Sequence, residues 1–164
     1  MQSNHKPGYI AVNGVEITED AIGREMQYHP AASGEQAWLT AAQSLAVREL
    51  LRQRAIELGL VEDEPLMPEQ EETTLDNLLQ QEVSVPEADQ LTCRRYYQSH
   101  PQAFIDKVSG KRLEYQRVEP WVKHYLHTRA MRAAVSEYIK TLVQRADVQG
   151  LVLTNAQITI KGMG

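Results

Sequence analysis

Apolar positions recur at helical spacing through most of the chain and alternate at strand spacing only near its two ends. Tyr9-Ile10-Ala11-Val12 and Val15-Glu16-Ile17 flank Asn13-Gly14, a pair that accepts the left-handed backbone of a tight turn, so a small β-hairpin is predicted. Thr18 then caps a short helix. Its first turn carries Glu19 and Asp20, which suit the positive end of a helix dipole, and it stops near His29-Pro30. Ser33-Gly34-Glu35-Gln36 has the form of a capping box, and no breaker follows before Gly59, so the first long helix should run about 24 residues. Its apolar residues, among them Trp38, Leu45, Leu50 and Leu51, point in several directions, the pattern of a helix with neighbours on more than one side.

Six acids, Glu62, Asp63, Glu64, Glu69, Glu71 and Glu72, crowd around Pro65 and Pro68 and read as a solvated linker. A third short helix follows from Thr73 to Glu82. Ser84-Val85-Pro86-Glu87 reads as a second capping box, opening a fourth helix that ends by His100-Pro101. The last long helix starts at Tyr115 or Glu119 and reaches Ala146, with Pro120 tolerated because it lies near the start. Its apolar stripe is Val118, Trp121, Val122, Tyr125, Val135, Ile139, Leu142, Val143 and Ala146, and Arg129 and Arg132 interrupt it halfway. Leu151-Val152-Leu153 and Gln157-Ile158-Thr159-Ile160 predict short strands. A lone hairpin is marginal in water, so these tail strands and the N-terminal hairpin should share one small sheet. The expected fold is mainly α, five or six helices with a small sheet from the N- and C-terminal strands, in a single domain over residues 1–164.

Apolar content of 42% beside 24% charged residues describes an ordinary globular chain, neither disordered nor membrane-embedded. No run approaches the roughly 18 apolar residues of a membrane span, and the first residues lack the apolar stretch of a signal peptide, so a cytoplasmic location is expected. The lone cysteine, Cys93, excludes an internal disulfide and suits a reducing compartment. The net charge of −5 hides an asymmetry: residues 1–104 hold 7 basic against 17 acidic residues, and residues 105–164 hold 10 against 5. An acidic first half argues against a nucleic-acid surface there, and the basic second half reads as a helix balanced within its own fold.

Several phrases occur in an order that resembles the chaperone module of the SurA and parvulin-type peptidyl-prolyl isomerase family. They are Val12-Asn13-Gly14-Val15-Glu16-Ile17-Thr18, the helix end Arg54-Ala55-Ile56-Glu57-Leu58-Gly59-Leu60, Val83-Ser84-Val85-Pro86-Glu87-Ala88-Asp89, and Tyr96-Tyr97 with His100-Pro101-Gln102-Ala103-Phe104. In that family the last phrase commonly leads into a parvulin domain. A phrase similar to Lys111-Arg112-Leu113-Glu114-Tyr115-Gln116-Arg117-Val118 follows it and opens a C-terminal helix that packs back on the N-terminal helices. The resemblance covers nearly the whole chain, and the C-terminal helix in particular looks closer to cytoplasmic members, NifM-like ones linked to nitrogenase maturation and relatives associated with nitrate reductase. It implies an N-terminal part over 1–104, a link over 105–112 where a parvulin domain of about 90 residues would sit, and a C-terminal part over 113–164. The catalytic domain is missing, whether by natural loss or by excision, and no parvulin catalytic residue has a position to map to.

Enzyme chemistry has no other visible seat. His124 and His127 stand three apart but supply only two metal ligands, and read as solvated helix histidines. Cys93 sits beside Arg94 and Arg95 without a general base in any recognisable motif. No cofactor is expected. A guanidinium on an apolar face must be paired or reach water, so Arg129 and Arg132 should pair with Glu49, failing which they face a wet client groove or are simply exposed. Trp38, Trp121 and Tyr125 read first as core. The resemblance implies a chaperone that binds an unfolded or immature client, such as a nitrogen-metabolism metalloenzyme. The candidate client-binding set is Trp38, Leu45, Trp121, Tyr125, Arg129 and Arg132. Two alternatives stay open: an active peptidyl-prolyl isomerase, and a homodimeric scaffold that exchanges its C-terminal helix with residues 105–112 as the hinge.

Overall fold

Asn13 and Gly14 both take positive φ, 51° and 82°, which turns the chain back within two residues. The strands on either side, β1 (Ile10–Val12) and β2 (Val15–Ile17), pair antiparallel with Val12 opposite Val15 and Ile10 opposite Ile17. The computed structural model describes residues 8–153. After the hairpin come α1 (Glu19–Met26), α2 (Gly34–Glu57), α3 (Pro68–Glu82), α4 (Gln90–Ser99), a short 3-10 turn (Pro101–Phe104), α5 (Tyr115–Arg145) and β3 (Val148–Gln149). The protein is therefore mainly helical, with one three-stranded antiparallel sheet in the order β2-β1-β3.

Local chemistry sets the helix boundaries. Thr18 Oγ1 accepts from Ala21 N and Ser33 Oγ from Gln36 N, each at 3.2 Å, so both expected caps are in place. The far end of α2 closes as a Schellman motif: Gly59, at φ 72°, donates to Ile56 O at 3.0 Å, and Leu60 N donates to Ala55 O at 2.9 Å.

Three sequence expectations need correction. The third helix begins at Pro68, not Thr73. A first-turn proline has no N–H to waste, and Glu69 and Glu71 lie where the helix dipole favours them, so half of the supposed acidic linker is helical. The fourth helix begins at Gln90, because Asp89, not Ser84, is its cap. Asp89 Oδ1 accepts from Thr92 N at 2.7 Å, while Val83 to Asp89 lie outside any helix and Pro86 bars Val85 from helical backbone. The strand from the C-terminal side is Val148–Gln149, pairing with Val12 and Ala11, and residues 151–153 form no strand. The sequence-predicted strand over 157–160 lies outside the described residues.

The chain divides into two compact units, one formed by the residues up to Glu82 with those from Val135 onward, the other by Val83–Ala134. In the first, Ile10, Val12, Ile17, Ile22, Ala41 and Leu50 belong to one buried cluster, against which Val143, Ala146, Leu151 and Leu153 also pack. Alanines 41, 42 and 46 are wholly buried, so small side chains let neighbouring elements approach α2 closely. Polar links seal this unit. Asn13 N donates to Asp147 O, and Asp147 N donates to Asn13 Oδ1, each at 2.8 Å. Asn13 Nδ2 donates to Gln53 Oε1 at 2.8 Å, and Gln53 Nε2 donates to Val12 O at 3.1 Å. Glu82 Oε1 accepts from Arg54 Nε at 2.9 Å and from Tyr138 OH at 3.2 Å, joining α2, the end of α3 and α5.

Gly150 offers a sharp test of this packing. Its φ is 77°, and a Cβ there would stand 2.0 Å from Tyr9 O, whereas a Cβ on Gly59 meets nothing within 4 Å. Gly150→Ala should cost on the order of 3 kcal/mol or more in urea unfolding, and Gly59→Ala only about 1 kcal/mol. Asn13→Gly keeps the turn backbone but loses both side-chain bonds, and should cost roughly 2 kcal/mol in the same measurement. Equal midpoint shifts for the two glycine variants would contradict the close approach at Gly150.

Candidate functional site

The second unit is built around a small aromatic core. Cys93, Phe104, Val118, Val122 and Leu126 are buried together, with Tyr96, Tyr97, Leu113 and Tyr115 packed partly exposed against them. Residues 105–112 form a closed hairpin. Ile105 and Arg112 pair antiparallel, Asp106 N donates to Lys111 O at 2.8 Å, and Leu113 N donates to Phe104 O at 2.7 Å. Asp106 organises the loop. Its Oδ1 accepts from Val108 N at 2.8 Å and Ser109 N at 3.2 Å, and these two backbone donors, Val108 first, hold its carboxyl below the usual aspartate range. Arg112 fastens the hairpin to α4, donating to Tyr97 O at 2.6 Å with its guanidinium 4.0 Å from the Tyr97 ring centroid.

On this core lies a row of four rings at helical spacing. His100 stacks on Tyr96 at 4.1 Å between centroids, Tyr96 meets Tyr125 at 5.3 Å, and Tyr125 stacks on Trp121 at 5.1 Å with the planes 6° apart. Phe104 supports the row from the core side, edge-on to Trp121 at 5.7 Å. Trp121 remains 50% exposed and Tyr125 37% exposed. Arg129, one turn beyond Tyr125, is exposed and forms no ion pair among the described residues; its charge opposes the rise in the Tyr96 pKa that burial and the Tyr125 hydroxyl produce.

The six sequence-predicted residues fall into two groups. Trp121, Tyr125 and Arg129 come together on the row, with Arg132 exposed a turn further along α5, while Trp38 and Leu45 are half-buried against the first unit's core. Trp121 and Tyr125 are surface rings and not the core residues their stripe suggested. Glu49 is engaged inside α2, where its Oε1 accepts from Arg52 Nη1 at 3.3 Å and Gln53 Nε2 at 2.9 Å. Tyr96, His100 and Phe104 were missed as site residues. Their signal was present, since Tyr96 and His100 repeat the i, i+4 spacing of Trp121 and Tyr125.

Other candidate chemistry is plainer. Burial pushes the Cys93 thiol upward, with the Glu119 carboxylate acting in the same direction, and the side chain packs in the apolar core of this unit. An open cleft of about 310 Å³ beside it is lined by Glu87, Asp89, Glu119 and Lys123, among others, and Glu87 pairs with Lys123 at 3.2 Å at the solvent edge. No group of three or more His, Cys, Asp or Glu side chains among the described residues could hold a metal ion. No helix among them is long and apolar enough to cross a membrane.

These features define a mainly helical protein with an exposed aromatic surface braced from beneath. No family model, no curated protein and no solved structure matches the chain.

The hairpin yields a test of its own. Asp106→Ala should raise the rate of tryptic cleavage after Lys107 and Lys111 several-fold at neutral pH, read by mass spectrometry. Because the folded-state pKa is depressed, the carboxylate's contribution is complete above the ordinary aspartate pKa. It is lost only as pH falls through the lowered folded value. Wild-type resistance should therefore be the same from neutral pH down to the usual carboxylate range, and a loss setting in above that range would count against this role for Asp106.

Proposed function

We propose that this protein binds unfolded or immature client proteins, as a chaperone core of the SurA and parvulin-type isomerase class that lacks the catalytic domain. The observation that carries the reading is the row of Trp121, Tyr125, Tyr96 and His100, where a tryptophan half open to water lies on rings fixed by Phe104. Large apolar rings left accessible are what a binder of non-native chains requires, and their rigidity limits the entropy lost on contact. Arg129 beside them gives the surface a cationic edge. The closed hairpin over 105–112 supports the same reading. Its ends are already paired, so a domain inserted there would enter and leave at adjacent points and its absence would leave the remainder able to fold. Clients would be recognised by exposed aromatic and apolar segments, in keeping with an immature metalloenzyme, and the interaction would be weak and sequence-tolerant.

The test is suppression of aggregation of a chemically unfolded protein, run beside an isomerase assay on a proline-containing peptide. Wild type should suppress aggregation without accelerating isomerisation. Trp121→Ala combined with Tyr125→Ala should lose potency roughly tenfold with unchanged circular dichroism, as truncation of aromatic contact residues does elsewhere. Equal suppression by the double variant would remove the aromatic row from the reading. Isomerase activity that disappears on denaturation would replace the reading with an enzyme.

A further inference from the structure

We infer that the aromatic row of one copy of this chain receives the acidic proline segment Glu62-Asp63-Glu64-Pro65-Leu66-Met67-Pro68 of a second copy. The segment is available. Glu62, Glu64, Pro65 and Pro68 are exposed, Met67 is 68% exposed, and only Pro68 belongs to a helix, as the first residue of α3. Pro65 lies in irregular backbone and Pro68 opens α3, so two fixed φ angles and the helix start leave this stretch little freedom to lose when rings cover it. Met67 between them is a flexible thioether suited to ring edges and faces.

Charge selects the pairing. Val83–Ala134 holds nine Lys and Arg against five Asp and Glu, a balance of +4, whereas three consecutive acids precede Pro65. Asp63 is held by Arg52 at 2.6 Å, but Glu62 and Glu64 form no ion pair among the described residues. On the receiving side Arg129 is likewise without an ion pair among them, and His100 is exposed at the far end of the ring row. Of the acids nearest these helices, Glu87 and Asp89 precede α4, where Asp89 caps it and Glu87 pairs with Lys123; in α5, Glu119 lies near the N-terminal end and Glu137, within reach of Lys140, lies toward the other end. The prolines and Met67 then cover the rings while Glu62 and Glu64 reach the arginine. Each copy carries one row and one segment, so association is two-fold if the two contacts close on each other and an open chain if they do not. A seven-residue segment on four rings is a small contact, so affinity is low and salt-sensitive. This self-association stands whether or not the same rings also take clients.

Sedimentation equilibrium of the full chain decides it, from about 10 µM to about 1 mM at low and at high salt. Mass above the monomer should grow with concentration and shrink at high salt. Arg129→Glu, the pair Glu62→Lys with Glu64→Lys, and Trp121→Ala should each weaken association roughly tenfold with unchanged circular dichroism. An equimolar mixture of Arg129→Glu with the double lysine variant should associate as wild type does, because both contacts in the mixed pair are again complementary. A chain that stays monomeric at about 1 mM in low salt overturns the inference. So does self-association that these substitutions leave unchanged, or a mixture that fails to recover it.

Discussion

Asn13 is the residue on which the first unit turns. It sits at φ 51°, a backbone few residues other than glycine accept, and so spends conformational energy to reverse the chain. That cost is offset by what the position reaches. Its N–H and side-chain oxygen are exchanged with Asp147 just beyond α5, and its side-chain amide meets Gln53 on α2. Gln53 in turn satisfies Val12 O at 3.1 Å. One turn residue thereby sets the register of β1 against β3, fixes where α5 ends, and ties the sheet to the longest N-terminal helix. Gly150 continues the same joint, since the backbone of Tyr9 passes too close for any side chain there.

α5 carries the consequence along the chain. Val118, Val122 and Leu126 are buried at one end and Val135 and Ile139 at the other, but from His127 to Ala134 no residue is buried. The interruption of its apolar stripe by Arg129 and Arg132 is therefore a real gap in burial. The exposed Arg129 guanidinium reaches water directly and so needs no buried partner. The cation left at the surface then colours the electrostatics of the neighbouring rings.

How much of this was legible depended on whether the signal was local. Thr18, Ser33 and Gly59 announce helix ends through bonds made within a few residues, and those boundaries were read directly. Asn13-Gly14 gave the hairpin for the same reason. The start of α4 was misread because Ser84 and Asp89 both offer caps and only the rest of the chain decides between them. β3 was displaced because its two residues, Val148 and Gln149, are too few to show a period, whereas Leu151 and Leu153 alternate but pack as irregular chain against the core. Exposure of Trp121 and Tyr125 was equally out of reach. A helical wheel gives the direction of a side chain but not whether a neighbour covers it, and here Val122 and Leu126 are covered while Trp121 and Tyr125 are not.

The eight residues over 105–112 are also more than a tie between two segments. Asp106 shapes the loop through its two backbone acceptor bonds, the loop pairs Ile105 with Arg112, and the next rung joins Leu113 N to Phe104 O. Phe104 is 3% exposed and stands edge-on beneath Trp121. The order of the hairpin is therefore transmitted through one buried ring to the ring most open to water. A looser connection would leave Phe104 free to shift and the Trp121–Tyr125 stack without its support. A half-exposed indole that is held still loses less freedom on contact than one that must first be ordered, so the tight closure of this hairpin itself favours binding at the surface above it.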